Sequence, residues 1–147
     1  MSMSRKYLAA AVGMALAAIA RAETIEVKVE GVKFVPSIVY AAVGDILSFH
    51  YMPTHFVESM QGMWPEGAPR MLSAMGQPYQ YRIEQPGLYV YKCPPHWSAH
   101  MGGIVVVGPP ANLNGAIDRY FSVAEASREA KPAKILLYRL KENLDPH

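Results

Sequence analysis

The segment that decides the fold reads Leu88-Tyr89-Val90-Tyr91-Lys92-Cys93-Pro94-Pro95-His96-Trp97-Ser98-Ala99-His100-Met101-Gly102-Gly103-Ile104-Val105-Val106-Val107. Leu88 to Cys93 is apolar and aromatic, the composition of a central strand, and Ile104 to Val107 is a β-branched run that suits a sheet core. Pro94-Pro95 interrupts them with a short loop. Working outward, Pro86-Gly87 is a strong turn signal before the first strand, and Tyr79 to Ile83 is another short strand. Further upstream, Ile25, Val27 and Val29 alternate with Glu26, Lys28 and Glu30, the period of a strand with one wet face. Val32 to Val35 and Ile38 to Ala42 follow, separated by Pro36. Val43-Gly44-Asp45 reads as a turn, and Ile46 to Tyr51 as a strand closed by Pro53. Short strands with turn signals between them predict an all-β sandwich or barrel.

Downstream of Gly108-Pro109-Pro110 the pattern changes. Ile117, Phe121 and Val123 give a helical spacing within Ala111 to Ala130. Pro132 suits a first helical turn, and Leu136, Leu140 and Leu144, with Leu137 beside them, mark one apolar helix face. Two C-terminal helices are expected to pack on the sandwich as structural cover.

The 147 residues are 51% hydrophobic and 18% charged, with a net charge of +2. That is the composition of one folded domain rather than a disordered chain. The 14 basic and 12 acidic residues nearly cancel, which argues against nucleic-acid binding. A single Cys excludes an internal disulfide scaffold. Residues 1–22 read as a secretory signal peptide: Arg5 and Lys6, an uncharged run of 13 residues from Leu8 to Ala20, then Ala20-Arg21-Ala22 as a small-x-small cleavage site. The run is too short to span a bilayer as an anchor, and no later segment could span one. Cleavage would remove three of the basic residues and no acidic one, giving net charge −1 for a domain over 23–147. Export to a bacterial periplasm follows. In an oxidising compartment a lone Cys93 must be buried, bound or catalytic.

The loop after Cys93 places a thiolate, an imidazole (His96) and a thioether (Met101) together. Two His and one Cys in a plane with a long axial Met describe a blue-copper electron-transfer site. The second imidazole must come from elsewhere: His50, His55, His100 or His147. His55 is the strongest candidate, because it follows Pro53 in an irregular segment where its ring can leave the sheet. His50 lies within a predicted strand, His100 crowds Met101, and His147 is terminal. With five His and nine Met in 147 residues, His at +3 and Met at +8 from a given Cys arise by chance with probability about 0.002.

The loop Cys93-x2-His96-x4-Met101, the upstream His55 and the ending Val107-Gly108-x-x-Ala111-Asn112-Leu113 closely resemble the pseudoazurins, small cupredoxins. Gly44-Asp45, Gly62-Met63, Pro65-Glu66-Gly67 and Pro86-Gly87 occur in the right order around them, so the resemblance spans essentially all of 23–147. It implies a cupredoxin-like Greek-key β-sandwich with two C-terminal α-helices. It also implies one type 1 copper ion per chain, held by His55, Cys93, His96 and Met101. The family shuttles single electrons in the periplasm, often from cytochromes and to nitrite reductase, and a monomer docking weakly on such redox partners is expected. His55 is expected to be the buried imidazole, and His96 to expose a ring edge. Pro53, Pro95, Trp97 and Met60 are expected around it as an apolar docking patch, with Lys33, Arg70 and Lys92 as candidate steering charges.

The chain departs from the family where members carry Asn after the first His and Thr or Ser after the Cys. Here those positions hold Phe56 and Pro94, so both halves of a polar tie between the copper loops are missing together. The Phe56 backbone N–H remains able to donate to Cys93, whereas Pro94 has none. A shifted reduction potential is expected. Trp97 is bulkier than the family's usual aromatic, and Ala99 stands where members can carry Met. Two other classes compete with this reading. An enzyme with Cys93 as nucleophile is disfavoured, since Pro94-Pro95 gives no helix N-terminus to activate a thiol and no oxyanion-hole motif is visible. A copper storage or delivery protein is the alternative that Met60, Met63, Met71, Met75 and Met101 keep in view.

Overall fold

The computed structural model describes Gly13 and residues 21–145. The expected signal segment therefore lies almost wholly outside the described residues, as does His147. Eight strands precede two helices: β1 (Thr24–Glu30), β2 (Lys33–Val35), β3 (Ile38–Ala41), β4 (Ile46–Phe49), β5 (Glu58–Ser59), β6 (Tyr79–Arg82), β7 (Gly87–Lys92), β8 (Gly102–Val107), α1 (Leu113–Ala126) and α2 (Ala133–Leu144). A 3-10 turn, Pro94–Ala99, fills the loop between β7 and β8.

The strands form two four-stranded sheets, ordered β2-β1-β4-β6 and β3-β8-β7-β5. Each mixes parallel and antiparallel pairs: β1 runs parallel to β4 and β3 parallel to β8, and the other pairs are antiparallel. In the first sheet the predicted alternation holds, with Val27 buried and Glu26, Lys28 and Glu30 exposed. The second sheet differs. Every residue of β8 is buried, and so is β7 from Leu88 to Lys92, because both faces are covered. Tyr89, Tyr91, Val105 and Val107 face the first sheet, where they join Phe34, Leu47 and Phe49. Leu88, Val90, Ile104 and Val106 face the helices, against Ile117, Tyr120, Leu136 and Leu140. The helices are thus the third layer that makes a two-sided sheet possible.

Strand ends depart from the sequence reading in small ways. β4 stops at Phe49 rather than Tyr51: His50 is exposed and Tyr51 adopts a positive φ of 49°, which turns the chain out of the sheet. β5 was not anticipated, since two residues give no periodicity. It exists because Glu58 and Ser59 pair with Lys92 and Tyr91. The turn at Asp45 is pinned by its own carboxylate, which accepts the N–H of Glu23 at 2.9 Å and of Ala42 at 2.8 Å. α1 starts at Asn112, whose side chain accepts the Gly115 N–H.

Gly103 is where the core permits no side chain. A Cβ there would overlap the Tyr91 ring and hydroxyl of the neighbouring strand. Tyr91 is itself wedged between Phe34 and Phe49, with ring centroids 5.3 and 5.4 Å away, so it cannot swing aside. Gly103→Ala is expected to destabilise the fold by about 1–3 kcal/mol, read as a lower urea midpoint at unchanged slope.

Candidate metal centre

β4 ends at the rim of the sandwich and releases the segment that carries His55. Three backbone bonds hold this segment: His55 N–H donates to the Met52 carbonyl at 3.1 Å, its carbonyl accepts from Gly76 N–H at 3.0 Å, and Ser73 N–H donates to the Val57 carbonyl at 2.9 Å. The Ser73 hydroxyl accepts the Val57 N–H in return, at 2.9 Å. The imidazole is therefore fixed from the backbone outward.

Cys93 and His96 come from the other sheet. Cys93 follows β7 directly, and its N–H donates to the Met101 carbonyl at 2.8 Å. Its carbonyl accepts the His96 N–H at 3.0 Å, and the His96 carbonyl accepts the Met101 N–H at 3.2 Å. His100 reverses the chain in a left-handed conformation, φ 64°, and donates to the Trp97 carbonyl at 2.9 Å. The loop is closed on itself at the backbone, so the side chains of Cys93, His96 and Met101 have fixed origins.

The structure brings three of the four predicted site residues to one point. His55 Nδ1 and His96 Nδ1 are 3.0 Å apart, and each lies 3.6 Å from Cys93 Sγ. No other His, Cys, Asp or Glu joins this cluster among the described residues. A point equidistant from three atoms at those separations lies about 2 Å from each, a metal–nitrogen bond length for a first-row ion. Two ring nitrogens and a sulfur aimed at one spot thus fit a single metal ion of the kind that accepts imidazole and thiolate. Met101 is fully buried in the same apolar cluster as Cys93, Met52, Val57 and Met71. Of the rival imidazoles, His50 is exposed and bonded to Ser48 Oγ at 2.8 Å, and His100 is exposed on the loop.

The surroundings prepare the donors. His55 is buried, and His96 is partly exposed, as expected of an inner and an outer imidazole. Thr54 Oγ1 lies 3.3 Å from His55 Nε2; a proton held there leaves Nδ1 free as a ligand. Burial first, and the neighbouring His96 second, hold the His55 pKa below its ordinary value. Burial raises the Cys93 thiol, while the backbone N–H groups of Phe56 and His96 pull it back down.

Several peripheral expectations need correction. Lys92 is not a surface charge: it is 7% exposed and ion-paired with Glu129 at 2.6 Å. Arg70 is exposed but lies 3.7 Å from Glu58. Trp97 and Met60 are buried against the helices and so cannot form part of a docking patch, whereas Pro53 and Pro95 are exposed. β7 turns Lys92 to the helix side because Cys93 takes the inter-sheet side, and the sequence did not say which face the two expected helices would cover. Among the described residues no helix is long and apolar enough to cross a membrane.

Comparison with known proteins agrees with this geometry. Residues 22–108 match the family of copper binding proteins, plastocyanin/azurin family. A pseudoazurin of Paracoccus pantotrophus is 38% identical over 118 residues, covering 74% of this chain and 80% of the relative. The crystal structure of pseudoazurin from Methylobacterium extorquens AM1 superimposes with a TM-score of 0.63 at 25% identity, over 80% of this chain and 98% of that one. Native pseudoazurin from Hyphomicrobium denitrificans gives a TM-score of 0.57 at 29% identity, over 67% and 82%. With two imidazoles and a thiol converging at the rim of a two-sheet sandwich, the chain belongs to the plastocyanin/azurin family of copper-binding proteins and, within it, to the pseudoazurins, type 1 copper electron carriers rather than enzymes.

Proposed function

We propose that His55, Cys93, His96 and Met101 hold the copper ion, and that the chain works as a periplasmic, monomeric single-electron shuttle. Residues 1–22 direct its export in this reading. A cytochrome-type donor, such as a c-type cytochrome, loads it, and a reductase such as nitrite reductase unloads it. The observation that carries the reading is the convergence of His55 Nδ1, His96 Nδ1 and Cys93 Sγ within 3.0–3.6 Å, with one imidazole buried and the other at the surface. Copper held there supplies a reversible Cu(II)/Cu(I) couple. His55 and Cys93 supply the fixed, water-excluding side of the site. His96 offers its ring edge to a docked partner, and the exposed Pro53 and Pro95 would extend the docking patch. Met101 supplies the weak fourth donor, and its fully buried position supports a role that does not exchange with solvent. A closed donor set also favours a carrier over a storage or delivery protein, since Met60 and Met63 are packed under the helices.

Several unpaired basic residues lie beside the loop. His100 joins two surface grooves: one of about 530 Å³ with Arg128, Lys131 and Tyr138, and one of about 170 Å³ with Lys33 and Arg139. Among the described residues Lys33, Arg128, Lys131 and Arg139 have no ion-pair partner, whereas Lys134 is paired with Glu125. An acidic rim on the partner suits this belt. Weak contacts of total burial below about 1,200 Å² allow the turnover a shuttle requires.

Three outcomes are expected. One equivalent of Cu(II) should give an intense thiolate-to-copper absorption band in the visible, absent in Cys93→Ala and absent with zinc. Slow loss of copper to a chelator should accompany it, and rapid loss would instead favour delivery. Charge reversal at Arg128 and Lys131 should lower the second-order rate with an acidic c-type cytochrome about tenfold at low salt and flatten its ionic-strength dependence.

The metal-free protein should show a bounded pH range of stability. The unfolded His55 binds its proton near 6.5, and the folded one only at lower pH, so stability is complete above 6.5 and falls as pH drops through the folded value. The unfolded Cys93 ionises near 9.0 while the folded thiol resists, so stability also falls as pH rises above 9.0. Urea midpoints of the metal-free chain from pH 5 to 10 check both limbs.

A further inference from the structure

Lys92 immediately precedes Cys93, and its side chain enters the helix side of the sheet. A buried ammonium requires partners. Its Nζ donates to Glu129 Oε1 at 2.6 Å and lies 3.8 Å from Oε2 of Glu58, its cross-strand neighbour on β5. Glu129 makes a second contact to the metal loop. Its backbone carbonyl accepts the indole N–H of Trp97 at 2.6 Å. Trp97 is the residue after His96, and a Cβ on Gly102 would come within 2.8 Å of its ring and 3.2 Å of Leu136 on α2. One residue from the α1–α2 turn therefore grips the position before the sulfur donor and the position after the outer imidazole. The turn is itself braced: Lys131 N–H donates to the Ser127 carbonyl at 3.1 Å, Ala130 N–H donates to Ser127 Oγ at 3.3 Å, and Ala130 is buried in the helix-layer core.

We propose that Glu129 is a positioning residue of the electron-transfer centre: its carbonyl fixes the loop through Trp97, and its carboxylate cancels the charge of Lys92, the residue that precedes Cys93 and faces the opposite side of the strand. The helical pair then tunes the reduction potential as well as covering the sheet. This rests on the copper reading above. The sign follows from Coulomb's law. Reduction lowers the positive charge of the site, so an uncompensated ammonium nearby favours the reduced state and an uncompensated carboxylate the oxidised one. Lys92 is buried, but the Glu129 side chain is 66% exposed, so salt screens the carboxylate more than the ammonium.

Redox titration of the copper-loaded wild type, Glu129→Gln, Lys92→Met and the double variant tests this. Glu129→Gln keeps the carbonyl that holds Trp97 and removes only the charge. It is expected to move the Cu(I):Cu(II) ratio at fixed solution potential about three- to tenfold toward Cu(I). Lys92→Met should move it a similar amount toward Cu(II), and the double variant should lie near wild type, with Lys92→Arg unshifted. In the metal-free chain, Trp97→Phe should speed hydrogen exchange at the His100 and Met101 amides several-fold. An unmoved potential in Glu129→Gln, or shifts of the same sign in the two single variants, overturns the proposal while the wild-type charge-transfer band keeps the carrier reading intact. A wild type that binds copper without that band overturns both.

Discussion

Everything in this molecule is subordinate to keeping two imidazole nitrogens and one sulfur within 3.0–3.6 Å of one another at the edge of the sandwich. In the chain alone the three donors have only their own mutual hydrogen bonds to favour that arrangement. Burial weakens the proton affinity of His55 and resists ionisation of Cys93, so the donors gain little by meeting without a cation. They meet because their backbones leave them no alternative. His55 belongs to a segment laced to residues 71–76, and Cys93 and His96 to a loop closed by its own amide bonds. Each lacing is anchored in a sheet, and the two sheets share one aromatic core. Backbone bonds of this kind limit how far the donors can move, and small rearrangement is the property an electron carrier requires.

The two sheets divide the labour. The first presents a wet face and contributes the strand that leads to His55. The second is buried on both sides and carries the Cys93 loop between its two central strands. Covering its outer face takes two helices, and their connecting turn reaches back to Lys92 and Trp97. The helical layer and the metal loop are thus parts of one packing problem. That is why Trp97, a rim residue by sequence, is seated under α2 with Leu136.

Much of this was legible in the residues. Period-two alternation located β1, and the continuous apolar runs of Leu88–Cys93 and Ile104–Val107 located β7 and β8. The spacing of Cys93, His96 and Met101 named the loop, and the irregular segment after Pro53 singled out His55. What stayed hidden depends on long-range contact. β5 is two residues whose strand character comes only from pairing with Lys92 and Tyr91. Lys92 looks like any surface lysine until Glu129, 37 positions away, lies beside it. The burial of Trp97 and Met60 likewise depends on where α1 and α2 come to rest, and helix periodicity says which face is apolar without saying what it covers.

The lateral borders of the sheets are unusually short. β2 has three residues and β5 two, and these strands form one flank of each sheet. Unpaired amides and carbonyls along such a flank would let a passing chain add itself as a further strand, and stubs of this length offer almost no template. The outer edge of β5 is further closed by residues 71–73, and no border strand exceeds four residues, so neither sheet offers an incoming chain a long template.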